Sequence, residues 1–150
     1  MAITRGTFPL PDTTDPLTAP FFAAAARDEL QITCCRACNR FVWYPEEKCP
    51  DCTGALEWAP VSGRATLFTW AVVERAFLPA FAERVPFVTA LVALEEDENV
   101  RLCTYLVDVP ESDFAALRAG SACEVVFRDL EFATVPDAFV RVPMSRLAEH

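Results

Sequence analysis

Apolar and polar positions alternate over short runs along most of this chain, and seldom recur at helical spacing. Residues 30–33 (LQIT), 41–44 (FVWY) and 56–61 (LEWAPV) read as three short strands. After Ser62-Gly63 the runs lengthen. Residues 64–74 (RATLFTWAVVE), 87–94 (FVTALVAL) and 100–107 (VRLCTYLV) are dense in β-branched and aromatic side chains, and 122–128 and 138–142 continue the pattern. Only two segments read as helix. In the first, Thr18 or a neighbour serves as cap, Pro20 suits the opening turn, and the alanines at 23–26 favour the helical backbone. So short a helix is marginal alone in water and must dock on something through Phe21 and Phe22. The second, 110–119, has Ser112 as N-cap and Gly120 just past its end.

The first and third short strands flank a cysteine pattern. Cys35-x-x-Cys38 and Cys49-x-x-Cys52 stand ten residues apart, with Pro50 inside the second pair. Each C-x-x-C closes a knuckle whose two sulfurs point at one centre, so the pairs supply four soft ligands for a tetrahedral metal. Zinc fits, and iron would fit the same sulfurs. Four protein thiolates leave no open position for water or substrate, which makes the site structural. Cys34 is an extra thiol that could compete with Cys35. A ribbon of this size cannot fold on a hydrophobic core alone. Structural zinc supplies it with about 10–16 kcal/mol of apparent binding free energy.

The five longer strands, with a short helix between the third and fourth, have the chain order of a Greek-key OB barrel, although an SH3-like barrel also has five. The expected fold class is therefore mainly β: an N-terminal helix, a zinc ribbon and a five-stranded OB-fold barrel. The expected boundaries are a Pro- and Thr-rich extended arm over 1–17, the helix over 18–29, the ribbon over 30–61, the barrel over 62–143 and a tail over 144–150.

Charge and composition narrow the functions. A formal net charge of −9, with scattered arginines and Lys48 as the single lysine, repels phosphate backbones and disfavours nucleic acid as a partner. The longest apolar run, 86–94, has strand length and not membrane-span length, and no secretory leader is expected. Seven cysteines, four at metal spacing, fit a reducing compartment, hence the cytoplasm. The one histidine is His150 at the end of the chain, which removes Cys-His and Ser-His-Asp catalysis. Cys103 and Cys123 lie within apolar strands as inert thiols. No catalytic residue is assigned. The acidic turn 95–99 lacks the bend and spacing of a hard-cation loop. The loop 75–85 carries Phe77, Leu78 and Phe81 where polar residues are expected. These rings either fold back on the barrel mouth or form an apolar patch that docks a partner or lines an acyl chain.

The residues after about position 15 resemble the DUF35 family of rubredoxin-like zinc-ribbon OB-fold proteins. The resemblance is carried by Pro20-Phe21, Leu30, Cys35-x-x-Cys38, Tyr44-Pro45, Cys49-Pro50-x-Cys52 and Leu56-Glu57-Trp58. It continues through Ser62-Gly63-Arg64, Thr66, Pro86-Phe87, the run 90–94, and Gly120 before 124–127. Asn39 departs from the glycine usual after the first knuckle, a place where Asn tolerates a left-handed backbone. The resemblance implies structural Zn2+ and no catalytic residues of the chain's own. It implies an accessory subunit of a thiolase-like enzyme, an aldolase or acyltransferase acting on acyl-coenzyme A thioesters, including those of sterol side-chain degradation. The alternatives are a stand-alone acyl-coenzyme A binder and a single-strand nucleic-acid module stacking bases on Trp43, Trp58 and Trp70. Phe21, Phe22, Phe77, Leu78 and Phe81 are the candidate partner contacts.

Overall fold

The computed structural model describes residues 7–149; the start of the expected arm and His150 lie outside the described residues. A helix α1 (Ala19–Ala25) precedes three short strands, β1 (Gln31–Cys35), β2 (Phe41–Val42) and β3 (Leu56–Pro60). These form an antiparallel sheet with β1 in the centre. Five further strands close a barrel: β4 (Arg64–Val73), β5 (Phe87–Leu94), β6 (Arg101–Leu106), β7 (Ala122–Phe132) and β8 (Val135–Leu147). The barrel order is β4-β5-β6-β8-β7, with β7 returning to β4 and β6 beside β8 in parallel at Leu106 and Ser145. That Greek-key order is the OB barrel's and resolves the choice against an SH3-like one.

Strict alternation builds the barrel. Val88, Ala90 and Val92 of β5 point inward with Leu102, Thr104 and Leu106 of β6, and meet Ala65 and Leu67 of β4. Thr104 would be a buried polar group in apolar surroundings, but its hydroxyl donates to Ser145 Oγ at 3.0 Å across the parallel junction. The helix and ribbon are joined to this core. Phe21, Leu30 and Ile32 are buried in the same cluster as the barrel's inner side chains. A second, smaller cluster of Leu130, Phe132, Val135 and Met144 forms where the β7–β8 hairpin extends past the barrel.

Four expectations are corrected here. The helix of 18–29 ends at Ala25, because the chain turns through Asp28 in a left-handed conformation (φ 59°) to enter β1. Its start is organised by Asp15, whose carboxylate accepts the Leu17 amide at 2.9 Å, and not by a Thr18 side-chain cap. The expected helix of 110–119 is a 3-10 turn, Glu111–Ala116; the Ser112 hydroxyl donates to Asp113 and caps nothing. The expected tail from 144 is strand through Leu147, with Met144 and Ser145 buried. Pro136 and Pro143 mask this strand in the sequence, since proline reads as a strand breaker away from edges and bulges.

Candidate metal centre and an adjoining cavity

Two knuckles, each closed by a bond from residue i+4 back to residue i, bring the cysteines together by repeating one local geometry. In the first, the Asn39 amide donates to the Cys35 carbonyl at 2.9 Å and Asn39 takes φ 58°; in the second, the Thr53 amide donates to the Cys49 carbonyl at 2.9 Å and Thr53 takes φ 62°. The Cys35 and Cys49 amides are tied down in turn, to the Arg40 and Gly54 carbonyls at 2.8 and 2.9 Å. The left-handed position expected at Asn39 is therefore real, and Thr53 matches it.

The Sγ atoms of Cys35, Cys38, Cys49 and Cys52 all lie within 4.8 Å of one another. Two of the edges, Cys35–Cys52 and Cys38–Cys49, measure 3.4 and 3.8 Å. Zn–S bonds of about 2.3 Å require edges of about 3.8 Å in a tetrahedron, so the four sulfurs fit the ion. Their electrostatics ask for one. Amide hydrogen bonds, that of Cys38 first, pull the Cys35 thiol down to about 6 against the opposing effect of burial. Cys52 is pushed up to about 12: the Gly54 amide lowers it, but the neighbouring Cys35 sulfur and burial outweigh that. Sulfurs crowded on one centre cannot all ionise without a cation, and a dication removes the conflict.

Gly54 closes the shell. A Cβ at this position would stand 2.8 Å from Cys35 Sγ and 3.2 Å from Cys52 Sγ, too near for any side chain. Cys34 is not a competitor: strand alternation turns it to the face opposite Cys35, and burial raises its thiol.

The other candidate residues divide. Phe21 is buried against Trp43 and Trp58, with ring centroids 5.1 and 6.4 Å away, so it serves the chain's own core and not a partner. Phe22 is half-buried beside it. Phe81 folds back, stacked on Phe87 at 5.9 Å and edge-on to Phe132 at 5.3 Å. Phe77 is 91% exposed and Leu78 44%. The loop thus takes both of its alternatives at once, Phe81 inward and Phe77-Leu78 outward. Trp43, Trp58 and Trp70 are partly buried and pack against the main core. The acidic turn uses its oxygens locally: Glu95 pairs with Arg64 at 2.5 Å, Glu96 accepts the Ser62 amide at 2.6 Å, and Asp97 accepts the Asn99 amide at 2.9 Å. Cys123 is buried and pushed up to about 11 by that burial, an inert thiol as expected. Cys103 is a correction, because it faces outward and is exposed.

Cys103 belongs to a feature absent from the sequence reading. An apolar cavity of about 630 Å³ lies between the ribbon, α1 and the outside of the barrel. Phe87 and Thr89 of β5 and Cys103 and Tyr105 of β6 contribute to it, with Phe21, Phe22 and Trp43–Pro45 on the ribbon side and Val142 and Pro143 from β8. These residues come from five separated stretches, so no local pattern announces them. The aromatic density of 41–45 was the only available signal.

A four-sulfur ribbon packed against a closed OB barrel defines the class of a zinc-ribbon OB-fold protein. The family models agree: a rubredoxin-like zinc ribbon domain of ChsH2 matches residues 22–59, and the ChsH2 C-terminal OB-fold domain matches 58–128. The two models together cover residues 22–128, so the chain belongs to the family of ChsH2-type zinc-ribbon OB-fold proteins, DUF35 in the solved structures it resembles, and its metal is structural zinc. Among solved structures it is similar to a chain of the Ltp2-ChsH2(DUF35) aldolase, at 28% identity and TM-score 0.73 over 93% of this chain and 100% of that one. A DUF35-family protein of unknown function from Sulfolobus solfataricus shares the fold, at 13% identity and TM-score 0.57 over 91% and 89% of the two chains. A curated relative, the probable enoyl-CoA hydratase alpha subunit of Thermomonospora curvata, is 35% identical over 91 residues. That match takes in 59% of this chain and 27% of the relative, so the chain spans about a quarter of that protein's length. No helix among the described residues is long and apolar enough to cross a membrane.

Proposed function

We propose that the chain is a non-catalytic accessory subunit of a thiolase-like enzyme, an aldolase or acyltransferase working on acyl-coenzyme A thioesters in the cytoplasm. Sterol side chains fall within this substrate class. The observation that carries the reading is the likeness to the ChsH2 chain of an aldolase complex, which extends over the whole of that chain. The similar stretch inside a hydratase subunit supports an acyl-coenzyme A setting for the module. A four-thiolate zinc has no open coordination position, which accords with a scaffolding role for the ribbon.

Phe77 and Leu78 are the contacts through which the subunit docks. A phenylalanine so exposed loses nothing when covered and supplies the aromatic anchor that interface centres use. Phe22 borders the same enzyme from the cavity side. Gentle purification of the tagged chain from its own cells, with identification of what accompanies it, tests the reading. It predicts a thiolase-fold protein in stoichiometric amount, lost on Phe77→Ala with Leu78→Ala. Recovery of the zinc-loaded, folded chain alone contradicts it.

The cavity supports a second reading, a stand-alone binder of acyl-coenzyme A. That reading requires the isolated chain to bind thioesters in calorimetric titration, and a flat titration eliminates it.

A further inference from the structure

We propose that the outer half of β4 is an open edge that pairs with the same strand of a second copy of this chain, antiparallel about a two-fold axis at Ala71. The proposal stands on strand pairing alone and does not depend on the accessory-subunit reading.

β4 is enclosed on both sides only at its start. β7 covers Arg64, Ala65 and Thr66. Leu67 is tied to the residues leading into β7, its amide donating to the Ser121 carbonyl at 2.8 Å and its carbonyl accepting from Gly120 at 2.7 Å. Beyond the bulge between Leu67 and Thr69 the strand runs on to Val73, with β5 as its one strand neighbour among the described residues.

Which backbone groups this leaves open follows from the alternation of an antiparallel ladder. The Leu94 amide donates to the Val100 carbonyl at 3.0 Å, on the β6 side, and the Glu95 amide donates to the Arg64 carbonyl at 2.9 Å, on the β4 side. Even-numbered residues of β5 therefore address β6, and odd-numbered ones address β4. Thr69, Ala71 and Val73 stand opposite Leu91, Thr89 and Phe87 and bond to them. Trp70 and Val72 stand opposite Ala90 and Val88, so their N–H and C=O groups turn away from β5. No group among the described residues is bonded to these. Thr69, Ala71 and Val72 are exposed. Edge strands are ordinarily blunted by a charge or a proline, and 69–73 (TWAVV) has neither.

A second copy fits this edge in one register. With Ala71 opposite Ala71, Trp70 of each copy faces Val72 of the other. Each such pair exchanges both of its hydrogen bonds, and no N–H or C=O of Trp70 or Val72 stays open on either copy. The same register sets an aromatic ring against a β-branched side chain, and keeps Glu74 opposite Phe68 instead of opposite its own counterpart. The paired stretch is uncharged while each copy carries −9, so association tightens as salt screens the long-range repulsion.

The test is sedimentation equilibrium of the zinc-loaded full chain over a range of concentrations at low and high salt. The expected result is reversible conversion of the 16.6 kDa chain to twice that mass, favoured by salt. Val72→Pro removes an amide that bonds nothing within the chain, and should weaken association by about tenfold or more with the melting temperature kept. Ala71→Lys and Ala71→Glu, which set like charges against each other across the axis, should each be monomeric alone and should associate when mixed. This pair of variants suffices should Val72→Pro fail to fold. A chain that stays monomeric at every concentration overturns the proposal, whether the Trp70 and Val72 amides exchange freely, are protected by another segment of the chain, or become protected only on a different protein. A dimer unchanged by these substitutions also overturns it.

Discussion

The ribbon and the barrel are both small β structures, yet they are held by opposite means. The barrel buries Leu67, Val88, Val92, Leu102 and Leu106 around one apolar interior, and hydrophobic burial accounts for it. The ribbon's own interior amounts to Cys35, Val42 and Cys49 with Leu56 packed against them, and two of its three buried members are metal ligands. Without the ion its interior is mainly thiols. One chain thus joins a unit whose stability lies in its carbon to a unit whose stability lies in its sulfur. The seam is Phe21, Leu30 and Ile32, ribbon-side residues that lie in the barrel's core cluster.

The largest expected effect separates the two regions. Complete chelation, or Cys49→Ala, should remove most of the apparent 10–16 kcal/mol or so that zinc contributes and unfold residues 31–60. Region-resolved hydrogen exchange should then show lost protection in β1–β3 and retained protection in β5 and β6. The reverse experiment comes next. Leu67→Ala should destabilise the barrel by about 2–5 kcal/mol in denaturant titration while zinc stoichiometry stays at one. A zinc content that falls in parallel would show that the regions are not separable.

Gly54→Ala sharpens the comparison inside the ribbon. Its methyl group would press on Cys35 Sγ from 2.8 Å, and zinc affinity measured by chelator competition should fall about 10–100-fold, the range seen when a ligand's supporting residues are disturbed. Smaller still are the effects in the loop. Phe81→Ala forfeits two ring contacts worth about 0.5–1.5 kcal/mol each beyond area burial, whereas Phe77→Ala should change the unfolding free energy by no more than the ~0.5 kcal/mol of a surface change, both read by denaturant titration. The smallest effect is electrostatic. Arg128 holds the Asp108 carboxyl below its usual range, so this pair's contribution is present above the ordinary aspartate value and lost as pH falls through the lowered one. Arg128→Gln should therefore matter slightly at neutral pH and not at all in strong acid.

How far the sequence could be read follows the same division. The metal centre was legible because C-x-x-C confines its chemistry to four consecutive residues, and both knuckles then fold alike. The five barrel strands were legible from alternation, and β5 ends where the run 87–94 ends, but their order in the barrel is settled only by the pairing of β7 with β4 and of β8 with β6. Boundaries set by competition between local and distant partners were not. Pro143 suggested an end to β8, yet pairing with Phe127 on β7 carries the strand through it. Ser112 offered a cap, but its hydroxyl donates to the neighbouring Asp113 carboxylate instead. The cavity was the least legible, because Phe22, Trp43, Phe87, Cys103 and Val142 meet only once the ribbon has settled on the barrel. Cys103 was misplaced for the same reason: grouped with Cys123 as an inert strand thiol, it alternates with the buried Leu102 and Thr104 and faces outward into the cavity.

The docking claim is tested most directly by an exchange footprint. Amide hydrogen exchange of the chain would be compared free and bound to the thiolase-fold protein that co-purifies with it. The account predicts new protection concentrated in residues 75–85 around Phe77 and Leu78, with the zinc knuckles unchanged. A footprint elsewhere on the molecule, with 75–85 exchanging as in the free chain, would contradict it.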